Sequence, residues 1–119
     1  LVDSSYEFDK DHKFVADVVA NELSAASYVG GFAGSGRKTL ASAAVTQDDT
    51  NDLAYFDAAD SSWTSLNAGT IGGAILIREI TNDAASRVIA FVDLTDLVTS
   101  GTTVTIVWAA TGILKITPA

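Results

Sequence analysis

The sequence predicts a mainly β protein, an antiparallel β-sandwich or barrel (jelly-roll-like in one version), with one N-terminal α-helix. Three observations point there. Several short runs rich in β-branched and aromatic residues follow residue 37, separated by Gly, Asp, Asn and Ser turn clusters. Only one stretch carries apolar residues at three- and four-residue spacing. The strand-like runs are not interleaved with helical ones, which argues against a doubly wound α/β fold.

The helical stretch is Asp9 to Ser24. Phe14, Val15, Val18, Val19 and Leu23 would share one face, and Asp9 and Asp11 suit the positive end of a helix dipole. Tyr28 to Gly36 (YVGGFAGSG) then breaks all periodicity, and its four glycines read as a flexible loop or a set of tight turns. Lys38 to Thr46 alternates small apolar and hydroxyl residues as a first strand, and Gln47 to Asp52 is a polar turn. Leu53 to Asp57 is a short strand, followed by an Asp/Ser turn and Trp63. Thr70 to Ile80 is apolar on both faces around Ile75 to Ile77 and is predicted to be central in its sheet. Thr81 to Ser86 is a loop that leads into a returning strand, Arg87 to Leu94, as a hairpin. Thr102 to Trp108 alternates, with Val104, Ile106 and Trp108 on one face. Ile113 to Thr117 closes the chain.

A chain of 119 residues with 48% hydrophobic and 18% charged residues is globular and of single-domain size. We expect an N-terminal segment over 1–36 and a β core over 37–119. The 15 acidic and 7 basic residues leave a net charge of −8, which disfavours nucleic-acid binding and anionic membrane surfaces. It favours solubility and partners with basic patches. The absence of Cys excludes a thiolate nucleophile and disulfides. No apolar run reaches the roughly 18 residues a spanning helix needs. No charged stretch followed by an apolar one opens the chain, so a retained signal peptide is not expected.

The motif that comes nearest to chemistry is Gly31-Phe-Ala-Gly-Ser-Gly36-Arg37-Lys38-Thr39, close to a phosphate-cradling P-loop. Arg37 stands where that motif needs Lys, and a strand-like stretch follows where it needs a helix, so a plain loop is the better reading. His12, flanked by Asp11 and Lys13, reads as a solvated residue, since no nucleophile and orienting acid converge on it in the sequence pattern. Asp48, Asp49, Asn51 and Asp52 could hold a hard cation through oxygen. They lack the Gly and terminal Glu of the twelve-residue calcium loop, and Asp and Asn also build turns for local hydrogen-bonding reasons. A pair of carboxylates acting as glycosidase acid and base is possible in principle, but no spacing singles one out. No catalytic, cofactor-binding or metal-ligating residue is assigned. Tyr55, Phe56, Phe91 and Trp108 read as core aromatics, whereas Trp63, in a polar run, reads either as core or as an exposed interface anchor.

The stretches DDTNDLAYFDAAD (48 to 60), TSLNAGTIGGAILI (64 to 77), RVIAFVDL (87 to 94) and TIVWAATGILKI (105 to 116) carry a resemblance. Together they resemble small structural proteins of tailed-bacteriophage virions, the capsid decoration or cement class. The likeness covers somewhat over half the chain and is a texture of turns and strands with no catalytic motif. It implies a non-enzymatic subunit, a homotrimer seated on the major capsid protein at the outer surface of the virion and made in the host cytoplasm. It implies no nucleic-acid or membrane partner and no cofactor. Expected capsid or subunit contacts are Leu1, Tyr6, Phe8, Tyr28, Phe32, Arg37 and Trp63, chosen for presumed mobility or apolar exposure. Another virion component (tail, neck or head-fibre subunit) and a calcium- or carbohydrate-binding β module are the alternatives.

Overall fold

The computed structural model describes residues 1–118. The chain is mainly β, and its strands assemble into three antiparallel sheets, none of which closes on itself as a barrel would. Two compact units form: one from Leu1–Arg37 and Thr64–Thr103, the other from Lys38–Trp63 and Val104–Ala119. The N-terminal segment shares its unit with the longest hairpin of the chain.

In the first unit, β1 (Val2–Asp3), β5 (Thr70–Arg78) and β6 (Arg87–Val98) form a sheet in the order β1-β5-β6. The apolar run of β5 puts it in the centre, as its two-faced hydrophobicity predicts, and Ile71 and Ala74 are buried there. Gly72 and Gly73 let the neighbours approach. A Cβ on Gly72 would sit 2.6 Å from Ser4 Cα, and one on Gly73 would overlap the Phe91 ring. The core of this unit is Val2, Val15, Val18, Leu23, Tyr28 and Leu66, together with those β5 residues.

The expected helix over Asp9–Ser24 is corrected to a single turn, α1 (Val15–Val18), followed by a 3₁₀ turn over Val19–Asn21. Competing hydrogen bonds explain the shortening. Asp9 Oδ1 accepts from the Asp11 N–H at 2.8 Å, and such local side-chain bonds favour turns over helix. Lys13 and Phe14 are extended against the start of β6: the Lys13 carbonyl accepts from Val88 N–H, and Phe14 bridges to Arg87. The first α1 amides are then spent on the β5–β6 loop, Val15 N–H on Ser86 O and Ala16 N–H on Asp83 O. Asp17 closes the turn by accepting from the amides of Lys13 and Phe14, which holds its carboxyl below the usual range, the Phe14 bond first among the causes. The apolar spacing still reports the contacts, since Val15, Val18 and Leu23 are all buried.

In the second unit, β2 (Ala44–Asp48), β3 (Leu53–Asp57) and β8 (Leu114–Ile116) form a sheet in the order β2-β3-β8. The first strand starts six residues later than the alternation of Lys38–Thr46 suggests and runs on into the expected turn. Asp48 completes that turn: its carboxylate accepts from the amides of Thr50 and Asn51 and from the Asn51 side chain. The remaining strands, β4 (Ser61–Leu66) and β7 (Thr102–Ile106), pair with each other, and the chain passes from one unit to the other within each of them. β4 occupies part of what reads as an Asp/Ser turn. Its Ser62 hydroxyl lies 2.8 Å from that of Thr105, a cross-strand pair that polar composition alone disguises.

Candidate interaction surfaces

The contact residues expected from the sequence divide into buried and exposed sets. Tyr28 is only 1% exposed, and its hydroxyl accepts from the Leu1 amino group at 2.7 Å. Burial, with the Glu22 charge beside it, pushes the Tyr28 phenol far up. Leu1 itself is half-buried, and its carbonyl accepts from Leu23 N–H. Arg37 is 12% exposed along its side chain and lies in a carboxylate cluster. Its Nε and Nη2 donate to Glu22 at 2.8 and 2.7 Å, and Nη1 donates to Asp83 at 2.5 Å. Glu79 stands 3.6 Å away on the solvent side. Hydrogen bonding to Glu22, then to Asp83, raises the Arg37 pKa. For Glu22, burial pushes upward, but the bonds from Arg37 and the Gly31 amide outweigh it and leave the carboxyl below its ordinary value.

This cluster also decides the character of the Tyr28–Gly36 segment. Glu22 Oε2 accepts from Gly31 N–H at 2.8 Å, Gly34 N–H bonds to Gly31 O, and Gly36 N–H bonds to Val29 O. The segment is a series of tied turns, and the idea of a loose loop is set aside. Gly31 (φ 83°) sits in the left-handed region. Residues after Gly36 are not helical and Arg37 is held by carboxylates, so the phosphate-cradle geometry of a P-loop is not formed.

The exposed set is Phe8, Phe32 and, at half exposure, Tyr6. Phe8 is 66% exposed and stacks on Phe91 with ring centroids 6.4 Å apart. Tyr6 meets the same Phe91 edge-on at 5.1 Å, and its hydroxyl is 3.3 Å from His12 Nδ1. The structure thus gathers Tyr6 and Phe8 on Phe91, with His12 against Tyr6, and brings Leu1, Tyr28 and Arg37 together around Glu22. Trp63 belongs to the second unit and is buried, so it is no exposed anchor.

The surface that sequence reasoning missed is on the β2-β3-β8 sheet. Residues directly opposite in an antiparallel ladder share a face, and alternate residues along a strand share it too. The register therefore places Val45, Phe56 and Leu114 in one row, and Gln47, Ala54 and Ile116 in the next row of the same face. Val45 and Ile116 are each 75% exposed and Leu114 is 43% exposed. The opposite face carries Asp48, Asp57, Tyr55 and Lys115, every ionisable group of the sheet. The alternation Leu114-Lys115-Ile116 was a usable signal, but it reads as ordinary core patterning until the sheet is seen to be uncovered.

Among the described residues there is no group of three or more His, Cys, Asp or Glu side chains arranged to hold a metal ion, and no helix is long and apolar enough to cross a membrane. The carboxylate of Asp48, central to the calcium alternative, is engaged in closing its own turn. No family model, curated protein or solved structure matches this chain.

Proposed function

We propose that this chain is a structural subunit of a tailed-phage virion, a decoration protein that binds the outer surface of the capsid as a homotrimer and reinforces it. It acts on the major capsid protein, at the virion surface, after synthesis in the host cytoplasm, and it performs no catalysis. The observation that carries this reading is the uncovered apolar face of the β2-β3-β8 sheet, on which Val45, Leu114 and Ile116 stand exposed. Isolated proteins seldom leave contiguous aliphatic surface in water, and such patches mark assembly surfaces. A subunit of this kind works through buried area repeated in many copies, so modest contacts sum to high avidity. The net charge of −8 keeps a densely covered particle soluble and suits a basic partner surface.

The test is light scattering on the eluting protein, alone and then mixed with purified phage capsids, followed by heating of the shells. A trimer that co-elutes with shells and protects them from heat supports the reading. Rings or tubes formed by the protein alone would move the assignment to a tail or neck subunit. Absence of shell binding with a stability lost on chelation would move it to a calcium-binding module.

A further inference from the structure

No residue of β2, β3 or β8 is fully buried, and on the face that carries Val45, Leu114 and Ile116 these side chains stand exposed, whereas the reverse face is partly covered, with a buried Asp57 oxygen. A three-stranded sheet holds together in water only when an apolar face is covered. We infer that copies of this chain meet on the face formed by Val45, Phe56, Leu114, Ala54 and Ile116. The inference deepens the trimer of the proposed function by naming its contact surface. Charge selects a second copy as the occupant. Each copy carries −8, so contact through ionisable surface would set like charges together, and only a neutral face escapes that cost. This face has no ionisable side chain, while Asp48, Asp57 and Lys115 all lie on its reverse. The outer edge of β2 points the same way. No strand pairs with it among the described residues, and its sequence AVTQD contains none of the Pro or Lys residues that protect open edges. Three copies arranged about one axis bring this uncharged face together at their centre.

Two measurements on the isolated protein test this. The first is mass by light scattering: wild type is expected at three times the 12.3 kDa chain mass, and Val45→Lys combined with Ile116→Lys at the mass of one chain. Val98→Lys, at a residue 71% exposed in the other unit, is expected to keep the wild-type mass. The second measurement needs no disruptive variant. The chain has no Cys, so Val45→Cys and Val98→Cys each give a single thiol. Maleimide is expected to label the first at least tenfold more slowly under native conditions and both equally in denaturant. A single-chain mass for wild type, an unchanged mass for the double variant, or equal native labelling rates would overturn the inference. Protection of position 45 that appears only when shells are added would also overturn it, while leaving the decoration reading standing, because the shell would then be the occupant.

Discussion

Removing the Arg37 side chain is the most informative perturbation of the first unit. The guanidinium bonds Glu22 through Nε and Nη2 and Asp83 through Nη1 and the shared Nη2, in a site where Glu22 is 10% exposed and Asp83 20%. Arg37→Ala leaves two carboxylates close together with their cation gone. Breaking a buried pair by removing one partner costs about 3–5 kcal/mol, most of it the penalty of the unpaired charge left behind. With a urea m-value of roughly 1.5 kcal/mol/M for a chain of this size, the midpoint is expected to fall by about 2–3 M. Urea titration followed by tryptophan fluorescence and by circular dichroism reads the shift. The pH dependence supplies a sign check on the cause. In the wild type the Glu22 carboxyl is held below its unfolded value, so its contribution is fully present above about pH 4.3 and is lost as pH falls through the depressed folded value. In the variant the Gly31 amide still bonds Glu22, but the loss of the Arg37 bonds and charge raises its pKa relative to the wild type, and protonation relieves part of the strain. The gap between the two proteins is therefore expected to narrow from pH 7 to pH 4. A loss under about 1 kcal/mol with a gap independent of pH would show that the cluster behaves as a screened surface pair, and the reasoning would fail.

Three further substitutions test single contacts. Ser86→Ala removes a fully buried hydroxyl that donates to Asn82 O at 2.7 Å and accepts from Ile80 N–H at 3.0 Å; a loss of about 1–3 kcal/mol is expected in thermal melts. Thr99→Val keeps the shape but strands the Ala68 N–H, bonded to Thr99 Oγ1, while the Gly69 carbonyl keeps its bond from the Thr99 N–H; a loss of about 1 kcal/mol is expected by urea titration. Gly112→Ala places a Cβ at φ 91° and 2.8 Å from Phe56 O, so it is expected to lose about 1–3 kcal/mol and to loosen amide protection at Ile113, whose N–H bonds that same carbonyl.

The sequence made some elements legible and hid others for identifiable reasons. β5 announced itself because a run from Ile71 to Ile77 without a polar face can only be a central strand. The β5–β6 hairpin followed from its loop, although β6 extends four residues beyond the expected Leu94. The helix failed because periodicity reports which residues face the core and not what the backbone bonds to. Val15, Val18 and Leu23 reach the core from one helical turn, a 3₁₀ turn and an extended segment. β4 was hidden by composition, since SSWTSL reads as turn until Ser62 finds Thr105 across the ladder. Among the contact residues, Tyr28, Arg37 and Trp63 were chosen for flexibility or exposure that the structure does not give them. Val45 and Ile116 were passed over because isolated aliphatics in strands are ordinarily core. Exposure is a property of what fails to cover a residue, and no local pattern encodes it.

The pairing of β1 with β5 has a consequence for the timing of synthesis. Val2 and Asp3 find their ladder partners at Gly73 and Ile71, and Arg37 finds Asp83. A ribosome adding roughly 5–20 residues per second needs roughly 3–12 seconds to travel from Arg37 to the end of β6. For that interval Val15, Val18, Leu23 and Tyr28 have emerged without the hairpin that will bury them. The nascent segment thus waits with apolar side chains that lack their partners, and the acidic residues distributed through its first 22 positions favour its solubility during that wait.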